Sequence, residues 1–356
     1  MLDAMAILVL ALFASASASG AEPTVDLEGP NTPENIGANA PQNSDAMFLP
    51  SGGTTQPDSE MEAYAGASGS ADSIDSRYEY YRDSSGDVIL RSTSETTVER
   101  DSLRYVAHSE TAIARDALGT EELAVRSIEL AKDLTESWSV AGVLGLAQTN
   151  LRQSSLIGSI RTEADLLSSS ICATLSRAAV TSGTAPIRNH IMMTDFGLAA
   201  SRTLLGNLSL NLDLHRAMYA DHNGSVSIQA APQYSFDWLG GSHAVGYRFH
   251  YLSFARPMDG GGYSPQLLLS HEGFWNISYD SPRYYGSLQL SAGRQYQRVR
   301  TAGLHHLSGS GDATVGMHLT DKLLVELNAS GGNYGLELPS AGWSYLSTAL
   351  RVKFLF

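Results

Sequence analysis

Cysteine is almost absent from this chain. Among 356 residues there is a single cysteine, Cys172. One thiol excludes a disulfide within the chain, and it also excludes the paired Cys-x-x-Cys spacings of structural zinc sites. We therefore expect Cys172 to act as a small apolar filler, which is the usual role of a free cysteine.

Basic residues are scarce, and long apolar runs are nearly absent. The chain has 23 Lys and Arg against 37 Asp and Glu, a formal net charge of -14, and they form no basic stripe. Nucleic acid is therefore not an expected partner. Mean hydropathy is -0.12, and no stretch approaches the ~20 continuous apolar residues of a membrane-spanning helix.

Catalytic fingerprints are missing as well. The sequence contains no GxSxG, HExxH, Walker or dinucleotide-binding motif, so we predict no enzyme, no catalytic or metal site and no cofactor. The neighbouring His305 and His306, placed in a predicted external loop, leave a surface hydrolase as a third hypothesis. Adjacent histidines on a loop are usually solvated.

The N-terminal part divides into two predicted segments. Residues 1–20 contain an apolar run, Ala4–Phe13, followed by small residues, which is typical of a signal peptide; a short buried helix is the alternative. Residues 21–98 are predicted to be disordered and of low complexity because they carry few large apolar side chains. A short hairpin is expected around Asp83–Asp87.

Residues 99–168 are predicted to form a small helical periplasmic region. They contain no proline, and apolar residues such as Leu123, Ile128 and Leu130 recur on one side of a helix. Trp138 followed by Leu144-Gly145 resembles one tetratricopeptide-like unit. A plain helical hairpin or short coiled coil is the alternative, since one such unit cannot bury its own faces.

Residues 169–356 are predicted to form a transmembrane antiparallel β-barrel. Apolar and polar residues alternate over segments of about 10 to 15 residues, whereas strands of soluble proteins average about 5 to 6. The polar face carries few charges, and aromatic residues collect near strand ends. We expect about ten strands, with eight as the main rival number; a soluble β-sandwich is the other alternative. Nine strands follow Arg188, and Ile171–Val180 would supply the tenth.

The last nine residues read TALRVKFLF. Leu350, Val352, Phe354 and Phe356 alternate with Arg351 and Lys353. The apolar set is predicted to face lipid, and its terminal aromatic residue resembles the signal that the barrel-assembly machinery recognises. Arg351 and Lys353 are predicted to face the lumen, against acidic residues there.

Two further stretches resemble a known family. GGGYSPQLLL at 260–269 is followed by YYGSLQLSAGRQYQ at 284–297, and the final hairpin has a Leu-Thr-Asp-Lys turn and a terminal aromatic residue. The region from Phe196 to Phe356 is similar to the C-terminal outer-membrane barrel of the cellulose synthase operon protein C family, the cellulose export porins. The family-like motif consists of Gly261, Gly262, Tyr263, Ser264, Pro265 and Gln266.

The resemblance implies a function in exopolysaccharide export, with cellulose or a similar β-glucan as the exported chain. It also implies a location in the outer membrane with the N-terminal region in the periplasm. The expected partners are outer-membrane lipid, the barrel-assembly machinery, the polysaccharide chain, and periplasmic or inner-membrane synthase subunits. A non-conducting structural or adhesive barrel is the alternative function, because small barrels are filled by their own side chains.

Overall fold

The computed structural model describes residues 72–356 except positions 84–85, 101–102, 117–118, 136, 167–168, 182–183, 257–265, 300–301 and 335–342. The predicted signal peptide and residues 21–71 of the predicted low-complexity segment lie outside the described residues. None of the helices in the described part of the chain is long and apolar enough to cross a membrane.

Sixteen strands make up almost all of this region. They are β1 (Ser73–Asp83), β2 (Val88–Arg100), β3 (Leu103–Asp116), β4 (Gly119–Thr135), β5 (Trp138–Thr149), β6 (Ser154–Leu166), β7 (Ser169–Ala179), β8 (Met192–Leu205), β9 (Leu208–Tyr219), β10 (Gly224–Trp238), β11 (Gly241–Phe254), β12 (Leu267–Asp280), β13 (Tyr284–Val299), β14 (Ala302–Thr320), β15 (Leu323–Tyr334) and β16 (Trp343–Leu355). One short helix, α1 (Thr184–Arg188), lies between β7 and β8.

The strands form one closed antiparallel barrel. Each strand pairs with its neighbours in chain order, and β1 pairs with β16, beginning at Ser73↔Leu355. The backbone N–H of Phe356 donates to the carbonyl oxygen of Asp72 at 3.0 Å and extends this closing ladder by one bond. Closure leaves no strand edge unpaired, which a barrel in lipid requires.

The predicted fold class is therefore wrong in strand number and in helix content. The barrel has sixteen strands rather than ten or eight, and it begins at Ser73 rather than at residue 169. The nine strands predicted after Arg188 correspond to β8–β16, and the predicted tenth corresponds to β7. The expected hairpin at Asp83–Asp87 joins β1 and β2. The sequence-based count misses β1 to β6.

The described residues between 99 and 168 hold no helix; they form β3 to β6 and the end of β2. The tetratricopeptide-like interpretation is therefore wrong. This segment combines good helix formers with apolar residues on both faces, because Leu123 and Ile157 point inward while Ile128 and Leu144 point outward. Mixed faces blur the period of two by which a strand is recognised.

The two ends of the barrel differ in their connections. At the end that carries both described termini of the barrel, strands follow each other almost directly, as from Leu205 to Leu208. At the opposite end the connections from Ala179 to Met192 and from Phe254 to Leu267 are much longer. Outer-membrane barrels keep short turns on the periplasmic side and long loops outside. We call the two ends the inner end and the outer end accordingly.

Strand pairing fixes which residues face the lumen, because directly paired residues point to the same side of a sheet. Tyr81, Ile89, Leu123 and Tyr345, from four different strands, pack in one cluster around Ile187 of α1, so their register faces inward. The alternate register carries exposed large apolar side chains, including Leu144, Leu146, Leu156, Ile160, Leu175, Phe196, Leu327 and Leu350.

Candidate functional site: a charged lumen with a crossing segment

Charge of opposite sign is separated onto the two faces of the barrel wall. In the described strands the inward register carries far more acidic than basic side chains. The acidic ones are Asp75, Glu79, Asp83, Glu95, Glu99, Glu110, Asp116, Glu121, Glu129, Asp133, Glu163, Asp165, Asp195, Asp213, Asp237, Glu272, Asp280, Asp312 and Glu326. The basic ones are Arg77, Arg91, Arg104, Arg161, Arg248, Arg351 and Lys353.

The outward register shows the opposite bias. In the described strands its basic side chains are Arg82, Arg100, Arg115, Arg126, Lys132, Arg177, Arg202, Arg216, Arg294 and Arg298. Glu122 is the one acidic side chain in the same set of positions. The negative charge of the described strands is therefore concentrated on the lumen wall.

A charge network joins the inward faces of β1, β2 and β3. Arg91 contacts Glu79 at 3.4 Å and Glu110 at 3.0 Å. His108 lies 3.0 Å from Glu95 and 3.7 Å from Glu110. These side chains are partly exposed, so the network forms a polar surface of the lumen rather than a dry core.

A second acidic group lies on β8 and β9. His215 Nδ1 is 2.7 Å from Asp195 Oδ2, and its Nε2 is 3.0 Å from Asp213 Oδ1. The absence of a side chain at Gly197 leaves room for the imidazole, because a Cβ there would lie 2.9 Å from His215 Cε1. Glycine is thus needed where this ring lies flat against the wall.

The third acidic site of the lumen wall is a single carboxylate, which is almost enclosed by hydroxyl groups. Glu272 on β12 accepts hydrogen bonds from Ser270 at 2.9 Å, Ser291 at 3.3 Å and Ser308 at 3.1 Å. Gly293 makes room for it, since a Cβ there would lie 2.7 Å from Glu272 Cγ. Hydrogen bonds of this kind satisfy a buried carboxylate without a cation.

The described residues of the connection from Val180 to Ile191, residues 180–181 and 184–191, fold into the lumen and are called the crossing segment here. Arg188 Nε donates to Glu121 Oε1 at 2.7 Å, and His190 Nε2 is 2.6 Å from the Ser155 hydroxyl. The hydroxyl of Thr184 donates to Asp116.

Apolar contacts fix both sides of the crossing segment. Ile187 is 2 % exposed within the cluster on β1–β5 and β16. Val180 and Ile191 pack against a second cluster, formed by Ala217, Tyr219, Leu252, Phe254 and Leu268 on β9, β11 and β12. The segment thus spans the lumen near its outer end and narrows it there. Barrels of 16 to 18 strands otherwise leave an aqueous channel.

Arg351 and Lys353 occupy the inward register of β16. The Arg351 guanidinium contacts Asp75 at 2.8 Å through Nε and at 2.6 Å through the terminal nitrogen. This pair links the last strand to the first. Lys353 is paired in register with Asp75 and with Leu324.

The residues of the predicted assembly signal lie together on the outer surface. Leu350, Phe354 and Phe356 are exposed, Val352 shares their register, and the rings of Phe354 and Phe356 stack with centroids 6.4 Å apart. Their recognition by the barrel-assembly machinery stays a prediction.

Most of the family-like motif lies outside the described residues. Gly261, Gly262, Tyr263, Ser264 and Pro265 belong to the connection between β11 and β12. Gln266 is described, and its carbonyl oxygen accepts a hydrogen bond from the Ser253 hydroxyl at 2.7 Å.

The two adjacent histidines lie on strand β14 and not on a loop, which corrects the prediction. They point to opposite faces: His305 is exposed beside the Tyr296 ring, whereas His306 is paired with Gln295 on the inward register. Side chains on opposite faces of a strand cannot act on one substrate. His305 and His306 therefore do not form a common catalytic site.

The sequence reasoning misses the charge network and the crossing segment. The spacing Asp75-x-Arg77-x-Glu79 was a usable signal, since three alternating charges on one strand face indicate a polar lumen. The sequence signal for the crossing segment was weaker: Pro186 interrupts the alternating pattern between two strands.

No family model and no curated protein matches the chain in sequence. Solved structures do match. A bacterial polysaccharide outer membrane secretin aligns with a TM-score of 0.64 at 11 % identity, over 80 % of this chain and 98 % of that one. Pseudomonas aeruginosa OccD3 (OpdP) aligns with a TM-score of 0.47 at 7 % identity, over 82 % of this chain and 94 % of that one. OccK3 (OpdO) of the same organism aligns with a TM-score of 0.44 at 11 % identity, over 81 % of this chain and 95 % of that one. The chain has the fold of an outer-membrane β-barrel and resembles the polysaccharide secretin.

Proposed function

We propose that this barrel passes an exopolysaccharide chain across the outer membrane through its lumen. The observation that carries the proposal is the inward register of the described strands, which is rich in carboxylates and hydroxyls on a sixteen-strand barrel. Such a wall offers hydrogen-bond acceptors to sugar hydroxyls along the whole channel. The similarity to a polysaccharide secretin supports the same assignment.

The lumen charge limits the class of polysaccharide. A wall with excess negative charge repels a polyanion and accommodates a neutral or cationic chain. Cellulose or a similar β-glucan, the substrate implied by the sequence resemblance, is neutral and fits this requirement. Synthase subunits in the periplasm or inner membrane would deliver the chain to the inner end.

The crossing segment is central to this function because it narrows the outer end of the lumen. A chain that leaves the cell has to pass beside the segment or displace it. A lumen that this segment keeps closed would instead favour the alternative, a structural or adhesive barrel without transport.

The test is the conductance of the full-length protein in planar bilayers under a potassium chloride gradient. We expect a steady channel whose reversal potential shows cation selectivity. Neutral cello-oligosaccharides and cationic glucosamine oligomers should block it, whereas anionic galacturonate oligomers should not. The Asp195→Asn, Asp213→Asn double variant should lower the cation selectivity.

Glu122→Gln is the matched control, because this carboxylate lies on the outward face. It removes one negative charge outside the lumen, against two inside it in the double variant, and should leave selectivity unchanged. A folded barrel that does not conduct would overturn the export function in favour of the anchor or adhesin. Conductance with no block by any oligosaccharide would also contradict it.

A further inference from the structure

The outward arginines are not spread evenly along the barrel. Seven of them, Arg82, Arg115, Arg126, Arg177, Arg216, Arg294 and Arg298, lie towards the outer end and are exposed. We call them the outer arginine band. Arg82 and Arg115 are next to the last residue of their strands, and Arg177 and Arg216 lie two and three residues before the ends of β7 and β9.

The surface directly below the band is apolar. Each of three arginines has an exposed apolar side chain on the same strand face, two residues nearer the inner end. These pairs are Arg126 with Ile128, Arg177 with Leu175, and Arg216 with Leu214. An arginine costs about 2–4 kcal/mol at the bilayer midplane and about 0–1 near the interface. The band therefore marks the boundary between the hydrocarbon and the head groups of the outer leaflet.

The inner boundary of the same surface has different chemistry. Its exposed outward side chains include the aromatic residues Tyr105, Trp138, Tyr234, Trp238, Tyr279 and Tyr284. Of its basic residues, Arg100 is paired with Asp72 at 2.8 Å. The outer boundary thus carries more arginines, and the inner boundary carries more aromatic residues.

The described part of the chain supplies no acidic partner to the band. Among the residues that the structure describes, no ion pair joins any member of the band to a carboxylate. In the described strands the one outward acidic residue is Glu122. Although the chain has a net charge of -14, its described strands thus present guanidinium groups without a described carboxylate partner towards the outer end of the lipid-facing surface.

Two parts of the band are close enough to hold one ligand. Arg177 on β7 and Arg216 on β9 are separated by a single strand, on which they are paired with Thr194 and Phe196. Neighbouring strands lie about 4.8 Å apart, so these two side chains can reach a common head group. Arg294 is paired directly with His271, whose ring accepts a further contact from the Tyr247 hydroxyl.

We propose that the outer arginine band binds the phosphate groups of lipid A-type glycolipids, the phosphorylated lipids of the outer leaflet. Guanidinium groups bind phosphate in a planar, bidentate geometry that ammonium groups do not reproduce. The Arg177–Arg216 pair is the principal site, because two guanidinium groups there face lipid with an apolar surface below for the acyl chains.

The test is a titration of the folded full-length protein in detergent, followed by native mass spectrometry. The probes are lipid A, dephosphorylated lipid A and phosphatidylglycerol. We expect lipid A to bind best, dephosphorylated lipid A to bind weakly, and the Arg177→Gln, Arg216→Gln double variant to lose at least about tenfold in affinity for lipid A.

The matched control is the Lys132→Gln, Arg202→Gln double variant, which removes two outward charges near the inner end. It should keep its affinity for lipid A. Should the first double variant not fold, the two single variants test the same contacts. Equal binding of phosphatidylglycerol, or equal losses in the outer and inner variants, would overturn the proposal.

Discussion

Arg188 and Glu121 form the ion pair that ties the crossing segment to the barrel wall. Arg188 Nε donates to Glu121 Oε1 at 2.7 Å, and the Glu121 side chain is only 9 % exposed. A carboxylate that is almost buried needs its partner, because an unpaired charge in such a place is costly. A substitution that breaks this ion pair should therefore change the position of the crossing segment.

Arg188→Ala should loosen the crossing segment and widen the lumen. The substitution leaves Glu121 without its cation, so the segment loses its strongest polar contact while Ile187 keeps its apolar one. We expect a larger single-channel conductance with more frequent current fluctuations than the unsubstituted protein. The measurement is single-channel recording in planar bilayers.

The matched control for this change is Arg161→Ala. Arg161 is also an inward arginine in an ion pair, with Glu163 at 2.8 Å, but it lies on the wall of β6 away from α1. It should alter selectivity slightly and leave the fluctuations unchanged. Identical recordings from the two variants would show that Arg188 does not hold the segment in place.

Arg351→Ala should weaken the closure of the barrel. Arg351 contacts Asp75, and these two residues lie on the last and the first strand. Their side chains are 19 % and 14 % exposed, so the loss leaves a mostly buried carboxylate unpaired. We expect a loss of about 2 kcal/mol in the free energy of unfolding, measured by urea denaturation in liposomes.

Arg104→Ala provides the comparison. Arg104 also forms an inward ion pair with a carboxylate on the neighbouring strand, Glu129, but the arginine is 49 % exposed. Exposed pairs contribute about 0–1 kcal/mol. A loss of equal size in both variants would mean that closure of β1 against β16 does not depend on Arg351.

The sequence predicts the second half of this barrel better than the first. On β8 to β16 the outward positions are mostly large and apolar, so the period of two is clear. On β5, Leu144 and Leu146 show the same period, but Gly142 and Gly145 interrupt it. Trp138, taken as part of a helical repeat, lies outward at the inner end and donates to the Thr162 hydroxyl at 2.6 Å.

Barrel closure and the charged lumen could not be predicted from local patterns. Asp75 and Arg351 are 276 residues apart, and nothing near either residue indicates its partner. The inward register of the last strand was readable, because Arg351 and Lys353 alternate with apolar residues. The position of the crossing segment was not readable, since it depends on contacts supplied by nine other strands.

Deleting Phe356 should reduce assembly into the outer membrane. The residue is outward and 54 % exposed, and its backbone N–H donates to the Asp72 carbonyl at 3.0 Å. The deletion removes both the terminal aromatic side chain and the last hydrogen bond of the closing ladder. We expect less heat-modifiable, surface-accessible protein in the membrane fraction, measured by gel mobility and surface labelling.

Phe356→Tyr is the control that keeps the ring and the backbone donor, and it should assemble normally. Phe356→Asp keeps the backbone donor and removes the ring. If the Asp variant assembles as well as the Tyr variant, the aromatic ring is not part of the assembly signal.

Gly316→Ala should destabilise the barrel because the Tyr285 ring lies directly on Gly316. A Cβ at this position would overlap the ring, whose hydroxyl donates to Glu326. The ring has to move and break that bond, and such overpacking costs about 1–3 kcal/mol. Gly142→Ala is the control, since the nearest atom to its added Cβ is 4.0 Å away. Urea denaturation should separate the two variants; equal midpoints would mean that Tyr285 repacks without loss and that its contact with Gly316 contributes nothing to stability.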